Sequence, residues 1–369
     1  MKLSKQFSIF DLVTCLSNTL DKLHTDINNH HLRVSYISLC IAEKLNCSED
    51  TKREILLSSS LHDIGILTIN DRINTLQYDT ADIDKHSLRG YLFLSPYDIF
   101  NRTAQIILHH HTYWSDLIEY KDNDLVISAN IIFLADRIEA LIKKNVDILF
   151  QKNDIVNKVE QDKGIKFNPE IMEAFLKASN NDAFWLELEY PNIEEILKEK
   201  TKLVSVEFDL DDLVKVGILF SQIIDFRSRY TATHSSGVAA VADAICYLLG
   251  YSENECKIAR IAGYLHDLGK LVVPNEILEK PGKLTYEEYS IIKRHPFYTY
   301  KILNRVKPLN KIALYAACHH ECLNSAGYPF SLTADQLPQM SRIMAVADVF
   351  TAITEDRPYR DGMSTDKAL

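Results

Sequence analysis

The sequence predicts an all-α protein built as two similar halves, and three observations support this. Turn-forming residues are sparse, with 11 Gly and 10 Pro in 369 residues, so few tight turns are expected. Apolar residues recur at helical spacing, as in Val238, Val241, Ile245 and Leu248 before Gly250, which is typical of an amphipathic helix with a glycine cap. A pattern of histidines and aspartates also occurs twice in the same order, which indicates a tandem duplication.

The two copies of this pattern are offset by a nearly constant distance. His234 follows His30 by 204 positions, and Asp348 follows Asp136 by 212. Small insertions explain the drift of the offset, so each copy is expected to form one helical domain.

The domain boundary is predicted close to residue 200, because Pro191 breaks a helical run and a charged segment follows it. The predicted domains are therefore 1–200 and 201–369. The first copy continues past Asp136 to a helix ending near Leu176, whereas the second stops 21 residues after Asp348. The second domain is therefore expected to be C-terminally truncated.

Composition excludes several classes of protein. The net charge of -10 argues against general affinity for duplex nucleic acid. Seven cysteines without a C-x-x-C pair predict no disulfide framework and suit a cytoplasmic protein. No apolar run reaches ~18 residues, so no membrane span is predicted.

The second copy contains a set of candidate metal ligands that is too large for one tetrahedral site. The set comprises His234, His266, Asp267, His295, His319, His320 and Asp348. Five imidazoles and two carboxylates suit two divalent ions with open positions. The absence of cysteine disfavours structural zinc, so Fe or Mn is expected, with Mg, Ni or Zn left open. Asp267 is the natural bridging ligand.

Asp348 is the only charge in a nearly all-apolar stretch, 343–353. This stretch predicts a buried helix, and a carboxylate inside it requires a partner. A metal ion would provide one.

Two adjacent metal ions suit in-line attack of a bridging hydroxide on a phosphodiester. Lys270 follows Asp267 by three positions, so the two are expected to share a helical face. Lys270 could then donate to a phosphate oxygen. Asp267 and Lys270 are therefore the candidate catalytic residues.

At this point the residues match a known family. The motifs are His266-Asp267-Leu268-Gly269-Lys270, Lys280-Pro281-Gly282, His295-Pro296, His319-His320-Glu321, Gly327-Tyr328-Pro329, Ala347-Asp348-Val349 and Asp356-Arg357-Pro358-Tyr359-Arg360. The segment 225–369 resembles the HD-GYP domain, a branch of the HD metal-dependent phosphohydrolases. The resemblance implies an all-helical bundle, a centre of two or three metals, and hydrolysis of cyclic dinucleotides, chiefly cyclic di-GMP.

Carried over by position, the resemblance assigns the seven residues above as metal ligands and Lys270 as a phosphate contact. The substrate-binding residues it implies are Lys270, Gly327, Tyr328, Pro329, Arg342, Arg357 and Arg360. Some family members bind a third metal through a glutamate, but that position is Tyr230 here, so two metals are expected. Cys322 and Asn324-Ser325 also depart from the family pattern, which affects base specificity more than catalysis.

The first half resembles a degenerate HD domain. It keeps a second candidate metal set, which is His30, His62, Asp63, His86, His110, His111 and Asp136. Asp26 stands at the third-metal position. However, Ile66 replaces the lysine, Asn130 replaces Arg342, and no Gly-Tyr-Pro follows the histidine pair. We interpret this half as capable of binding metal but regulatory or structural rather than catalytic.

A degenerate HD domain followed by an HD-GYP domain is similar to bacterial phosphodiesterases that act on 3′,3′-cGAMP. The predicted function is therefore hydrolysis of 3′,3′-cGAMP, cyclic di-GMP or both to a linear 5′-phosphorylated dinucleotide. The alternative is a non-catalytic signalling module that binds a cyclic dinucleotide. Another HD nucleotide phosphohydrolase is disfavoured by Gly327-Tyr328-Pro329. A homodimer is one candidate assembly.

Overall fold

The computed structural model describes residues 10–14, 17, 29–66, 84–200, 209–226, 233–355 and 362–368. Within these ranges the regular structure is helical, without strands, and includes two isolated β-bridges. The prediction of an all-α fold is confirmed. No helix in the described part of the chain is long and apolar enough to cross a membrane.

The α-helices of the first half are α1 His30–Lys44, α2 Glu49–Leu61, α3 Asp84–Leu94, α4 Asn101–Leu108, α5 Trp114–Leu117, α6 Asp124–Ala140, α7 Ile148–Glu160, α8 Pro169–Ser179, α9 Asp182–Glu189 and α10 Ile193–Lys200. Those of the second half are α11 Leu210–Phe226, α12 His234–Leu248, α13 Glu253–Leu265, α14 Asn275–Leu278, α15 Tyr286–Ile292, α16 His295–Leu303, α17 Asn310–Ala317, α18 Gln339–Thr354 and α19 Thr365–Ala368.

The chain folds into two compact units. One unit is His24–Ser205, and the other is Val206–Leu369 together with Met1–Leu23. This division assigns the first 23 residues to a different unit from the predicted domain 1–200. The predicted boundaries at 200 and 201 stay a prediction.

Equivalent helices in the two units begin with the same type of cap. Ser48 caps α2 by accepting the backbone N–H of Thr51 at 3.1 Å. Ser252, 204 positions later, caps α13 in a capping box with Glu255. Such caps stabilise a helix by ~1 kcal/mol. They fix the start of the helix that ends directly before each His-Asp pair.

The core of each unit is formed around the helix that begins with the first candidate ligand. Helix α1 packs against α2 and α6, and α12 packs against α13 and α18. This packing places the N-terminus of α1 or α12 beside the His-Asp turn and the aspartate of α6 or α18. Ligands that are distant in sequence are thereby brought together.

The predicted apolar face of α12 is partly wrong. Val238 is buried, but Leu248 is 81% exposed. Small residues determine the buried face instead, because a Cβ on Gly263 of α13 would lie only 2.5 Å from the Cα of Ala239. The two helices approach so closely that larger side chains are excluded there. Gly250 has the left-handed φ of 80° expected of a glycine after the C-cap.

The prediction that the helix around Asp348 is buried is also wrong on one face. Val346 and Val349 of α18 are each 58% exposed. In the other unit α7 and α8 pack on the equivalent helix α6, whereas in the described part of this unit only the four-residue α19 follows α18. Asp348 has a protein partner, since its Oδ1 lies 3.1 Å from His234 Nε2.

Candidate metal centres

Each His-Asp pair lies in a turn at the C-terminal end of a helix. His62 and His266 are the C-cap residues of α2 and α13. The glycine two positions after each aspartate is required by packing. A Cβ on Gly65 would overlap the carbonyl oxygen of His86, and one on Gly269 would overlap that of His295. Glycine therefore lets the turn contact the next helix that supplies a ligand.

The C-terminal centre contains all seven of the residues predicted for it. Within the group, the ligand atoms of His234, His266 and Asp348 lie within 4.8 Å of one another, and so do those of His295, His319 and His320. Asp267 lies between the two sets. Its Oδ2 is 3.3 Å from His266 Nε2 and its Oδ1 is 3.3 Å from His295 Nε2. This position suits the predicted bridging role.

The tautomers of His295 and His319 in the C-terminal centre suit a bound cation. The Nδ1 atoms of His295 and His319 lie 2.8 and 2.6 Å from the backbone carbonyl oxygens of Ile292 and Ala316. A carbonyl oxygen only accepts, so each Nδ1 carries the hydrogen and each Nε2 carries a lone pair. These two Nε2 atoms face each other at 3.2 Å.

Protonation does not relieve this repulsion. Burial lowers the pKa of His295 to about 3, and burial with neighbouring imidazoles holds the pKa of His319 well below its usual value. His266 Nε2 is also buried, and its polar contact is with Asp267 Oδ2 at 3.3 Å, which raises the pKa of the His266 ring against the effect of burial. Imidazole lone pairs and carboxylates converging in a largely buried pocket fit divalent transition-metal ions.

His234 is held differently from the other imidazoles. Its Nδ1 lies 3.2 Å from Glu355 Oε2, while its Nε2 faces Asp348. Burial disfavours the charged ring, but the two carboxylates outweigh burial and raise the pKa of His234 to about 9. Glu355 therefore orients the ring of His234 through Nδ1, the nitrogen that does not face Asp348. Carboxylates commonly orient metal-binding histidines in this way.

The N-terminal centre also contains all of the residues predicted for it. The compact groups in it are His30 with His62 and Asp63, and His86 with His110 and His111. Asp136 completes the set, with its Oδ1 3.5 Å from His30 Nε2.

The same electrostatic signature is present in the N-terminal centre. The Nε2 atoms of His30 and His62 are 3.3 Å apart, and those of His86 and His110 are also 3.3 Å apart. His30 Nδ1 is 2.6 Å from Glu139 Oε2, so the hydrogen is on the outer nitrogen. Both ring nitrogens of His111 are buried without a hydrogen bond to the described residues. These donors fit a metal ion as well.

The two centres differ in the cation that accompanies the carboxylates. In the C-terminal centre Lys270 Nζ lies 2.5 Å from Asp267 Oδ2, and its side chain is 25% exposed. In the N-terminal centre Ile66 occupies the equivalent position and is buried. There the cation is Arg137, whose Nη2 lies 2.6 Å from Asp136 Oδ2.

The loop that contains Gly327-Tyr328-Pro329 lies at the edge of the C-terminal centre. The ring of Tyr328 lies 4.8 Å from that of His320, and Lys293 Nζ lies 4.7 Å from the centroid of Tyr328. A Cβ on Gly327 would overlap the backbone of Glu321 and Cys322. Only glycine allows this loop to lie directly on the segment that follows the histidine pair.

Glu321 holds the other end of this loop. Its buried carboxylate accepts the backbone N–H groups of Phe330, Ser331 and Leu332 at 2.6, 3.1 and 3.0 Å. Arg342 donates to the carbonyl oxygens of Leu337 and Ala334, and its contact with substrate stays a prediction. Arg357, Arg360, Tyr230 and Asp26 lie outside the described residues.

Sequence reasoning missed four residues that the structure places at the centres: Arg137, Glu139, Glu321 and Glu355. Arg137 and Glu139 interrupt an apolar stretch directly after Asp136, which was an available signal. Glu355 lies seven positions after Asp348, whereas Glu139 lies three after Asp136. Because of this different spacing, the sequence did not show that Glu139 and Glu355 both contact the Nδ1 of the first histidine in their half.

Comparison with known proteins gives matches to both halves. The HD domain family profile matches residues 219–369 and, separately, 27–141. A Vibrio cholerae protein named 3'3'-cGAMP-specific phosphodiesterase 1 is 29% identical over 371 residues, covering 96% of this chain and 85% of that protein. A second V. cholerae protein, named 3'3'-cGAMP-specific phosphodiesterase 3, is 34% identical over 235 residues. The match covers 62% of this chain and 51% of that protein.

Two further comparisons concern a response regulator and a solved structure. A cyclic di-GMP phosphodiesterase response regulator of Xanthomonas campestris is 38% identical over 151 residues, or 40% of either chain. The crystal structure of a V. cholerae phosphodiesterase described as cyclic GMP-AMP specific has a TM-score of 0.67 at 24% identity, covering 99% of this chain and 92% of that one. The structural likeness concerns the fold. The two profile matches fall on the two units separately, and the chain belongs to the HD domain family, with one HD domain in each half.

Proposed function

We propose that this protein is a metal-dependent phosphodiesterase that hydrolyses a cyclic dinucleotide to a linear 5′-phosphorylated dinucleotide, and that the C-terminal centre is its active site. The observation that carries the proposal is the open side of that centre. There the partly exposed Lys270 contacts Asp267 and the ring of Tyr328 lies beside that of His320, next to the facing Nε2 atoms of His295 and His319. The N-terminal centre has neither side chain in the equivalent position.

In this proposal the seven residues of the C-terminal centre bind two divalent ions, Fe or Mn. Such ions supply Lewis-acid stabilisation of the phosphate and activation of the attacking water. Asp267 links the two groups of histidines, because one of its carboxylate oxygens faces His266 and the other faces His295. Lys270 neutralises charge that develops on a phosphate oxygen. Its ammonium reaches Asp267 from a flexible stem and can turn to a ligand at the open side.

The loop residues Gly327, Tyr328 and Pro329 are proposed to contact a base or sugar of the substrate. Tyr328 presents an aromatic face beside His320, which suits stacking on a nucleobase. The HD-GYP subclass, suggested by this loop, is part of the proposal. Arg342, Arg357 and Arg360 stay predicted substrate contacts.

The substrate class is supported by the names of similar proteins, some of which specify 3'3'-cGAMP and others cyclic di-GMP. A relative whose match covers 96% of this chain is named for 3'3'-cGAMP. We therefore propose 3′,3′-cGAMP as the first substrate to test and cyclic di-GMP as the second. The homodimer and the cytoplasmic location stay predictions.

The experiment is parallel turnover of 3′,3′-cGAMP, cyclic di-GMP and cyclic di-AMP by protein loaded with Fe(II) or Mn(II), with Asp267→Ala as the inactive control. We expect a linear 5′-phosphorylated product from at least one of the first two substrates. Saturable binding without product under every metal condition would instead identify a signalling module. Turnover retained in Asp267→Ala would overturn the assignment of the active site.

A further inference from the structure

Lys293 holds a positive charge at the edge of the C-terminal centre. Its Nζ lies 4.7 Å from the centroid of the Tyr328 ring and 5.9 Å from that of Tyr289. A side-chain hydrogen bond joins Tyr289 and Tyr328, and the ring of Tyr328 lies 4.8 Å from that of His320. The lysine and the two tyrosines therefore form one cluster beside a candidate metal ligand.

The backbone fixes the place from which this charge is presented. Lys293 is the C-cap residue of α15. His295, two positions later, begins α16 and belongs to the group of His295, His319 and His320. The lysine and a candidate ligand thus lie on one short connection between two helices, so the origin of the lysine side chain is fixed relative to the centre.

The charge of Lys293 is not balanced by a carboxylate in the described part of the chain, where its side chain contacts the two tyrosine rings and forms no ion pair. Tyrosine hydroxyls are neutral near pH 7. Cation–π contacts at a partly exposed site are weak and leave the N–H groups of the ammonium available to an anion. Lys270, by contrast, already contacts Asp267 at 2.5 Å, and Arg342 donates to backbone carbonyl oxygens.

The first half has the opposite charge at the equivalent position. Asp84 stands two positions before His86, as Lys293 stands two positions before His295. An aspartate is negatively charged near pH 7, which disfavours an anionic ligand. The first half also has no Gly-Tyr-Pro segment after its histidine pair. The lysine and its tyrosine are therefore confined to the half that is proposed to hydrolyse substrate.

A cyclic dinucleotide contains two phosphodiester groups, and the metal centre attacks one of them at a time. The other keeps its negative charge and needs a partner when it leaves water. From the position of this cluster we infer that Lys293 binds the second, non-reacting phosphate of the substrate, and that Tyr289 and Tyr328 hold its ammonium in place before the substrate enters. The flexible stem of a lysine lets the ammonium turn from a ring face to a phosphate oxygen. The inference rests on the proposed function.

The test compares a substrate that has two phosphodiester groups with one that has a single group. In the metal-loaded full-length protein, Lys293→Ala should raise KM for the cyclic dinucleotide about tenfold with little change in kcat, as loss of one hydrogen bond to a charged group does. The value of kcat/KM for bis(p-nitrophenyl) phosphate should be unchanged, because that molecule has no second phosphate. Lys293→Arg should restore KM, because it keeps the charge.

Lys301→Ala is the matched control. Lys301 Nζ also lies over an aromatic ring, 5.4 Å from the centroid of Phe297, but this contact does not involve Tyr328, so KM should equal that of the wild type. Isothermal titration with the linear 5′-phosphorylated product, which keeps the second phosphodiester, measures affinity without turnover. Lys293→Ala should weaken this binding about tenfold, whereas Lys301→Ala should leave it unchanged.

The outcomes separate this inference from the proposed function. Wild-type turnover with an unchanged KM in Lys293→Ala would overturn the inference and leave the function standing. An equal loss with bis(p-nitrophenyl) phosphate would also overturn it, because Lys293 would then act only by supporting the centre. If the wild type neither hydrolyses nor binds a cyclic dinucleotide, the proposed function fails and the inference fails with it. Should circular dichroism show that Lys293→Ala is unfolded, Lys293→Gln removes the charge with less loss of side chain and decides between the same results.

Discussion

The two centres share one scaffold and differ in how they balance charge. Each places a His-Asp pair at the end of a capped helix, and each turns imidazole lone pairs toward one another at 3.2 or 3.3 Å. The cation beside the carboxylates is a partly exposed lysine in one half and a buried arginine in the other. Both halves therefore contain a set of candidate metal ligands, and they differ in the cation beside it, which is the difference that the proposed function links to catalysis.

The segments that follow the histidine pairs extend this comparison. In the second half Glu321 holds a loop open beside His320. In the first half Asn130, at the position equivalent to Arg342, donates to the carbonyl of Lys166 and accepts the N–H of Asn168. That connection fixes the 166–168 segment across the bundle. The position proposed to contact substrate in one copy is structural in the other.

The largest expected difference between the halves is the effect of removing the central aspartate. Asp267→Ala should lower kcat by at least about 10³-fold, because several kcal/mol of metal-dependent stabilisation would be lost. Asp63→Ala should reduce metal bound in its own half while turnover continues. Initial rates and metal content of the two variants measure this difference. A large loss of turnover in both would mean that the halves act together.

A smaller effect is expected from exchanging the residues that distinguish the two turns. Lys270→Ile gives the C-terminal turn the residue of the N-terminal one and should lower kcat about 10²-fold, as loss of one charge-stabilising donor does. Metal content should be unchanged, because Lys270 is not a ligand. Loss of metal in this variant would contradict the proposed phosphate contact.

Introducing a lysine into the N-terminal turn tests whether the lysine alone is enough for activity. Ile66→Lys, made together with Asp267→Ala, places a lysine three residues after Asp63. We expect no turnover, because Arg137 remains in the pocket and the loop equivalent to Gly327-Tyr328-Pro329 is lacking. Product formed by this double variant would show that the lysine alone separates an active centre from an inactive one.

Sequence patterns predicted which candidate ligands lie together better than they predicted the surroundings of those residues. His30 and His234 were predictable because the same spacing of histidines and aspartates occurs in both halves. Such a repeated spacing indicates that the residues lie together in the folded structure. The buried face of α12 was not, since close packing at Ala239 and Gly263 depends on the partner helix and leaves Leu248 outside.

The direction of a long side chain is likewise set by the tertiary structure. The sequence places Arg137 next to Asp136, but adjacent residues on a helix usually point to different sides. Only the packing shows that the guanidinium bends back to its neighbour and is buried there. The role of Glu355 was hidden for a related reason, because it contacts His234 from the C-cap position of α18 rather than from within the helix.

The smallest of the expected effects concerns the loop that only the second half contains. Gly327→Ala would force a Cβ into the backbone of Glu321 and Cys322, displacing Tyr328 from His320. We expect KM to rise about tenfold, equivalent to ~1.4 kcal/mol of lost binding, with a smaller change in kcat because the metal ligands stay in place. Gly250→Ala is the control, since a Cβ there meets no atom within 4 Å and the change acts on stability through its φ of 80°. An unchanged KM in folded Gly327→Ala would remove the loop from the substrate site and leave Lys270 and Arg137 as the main difference between the halves.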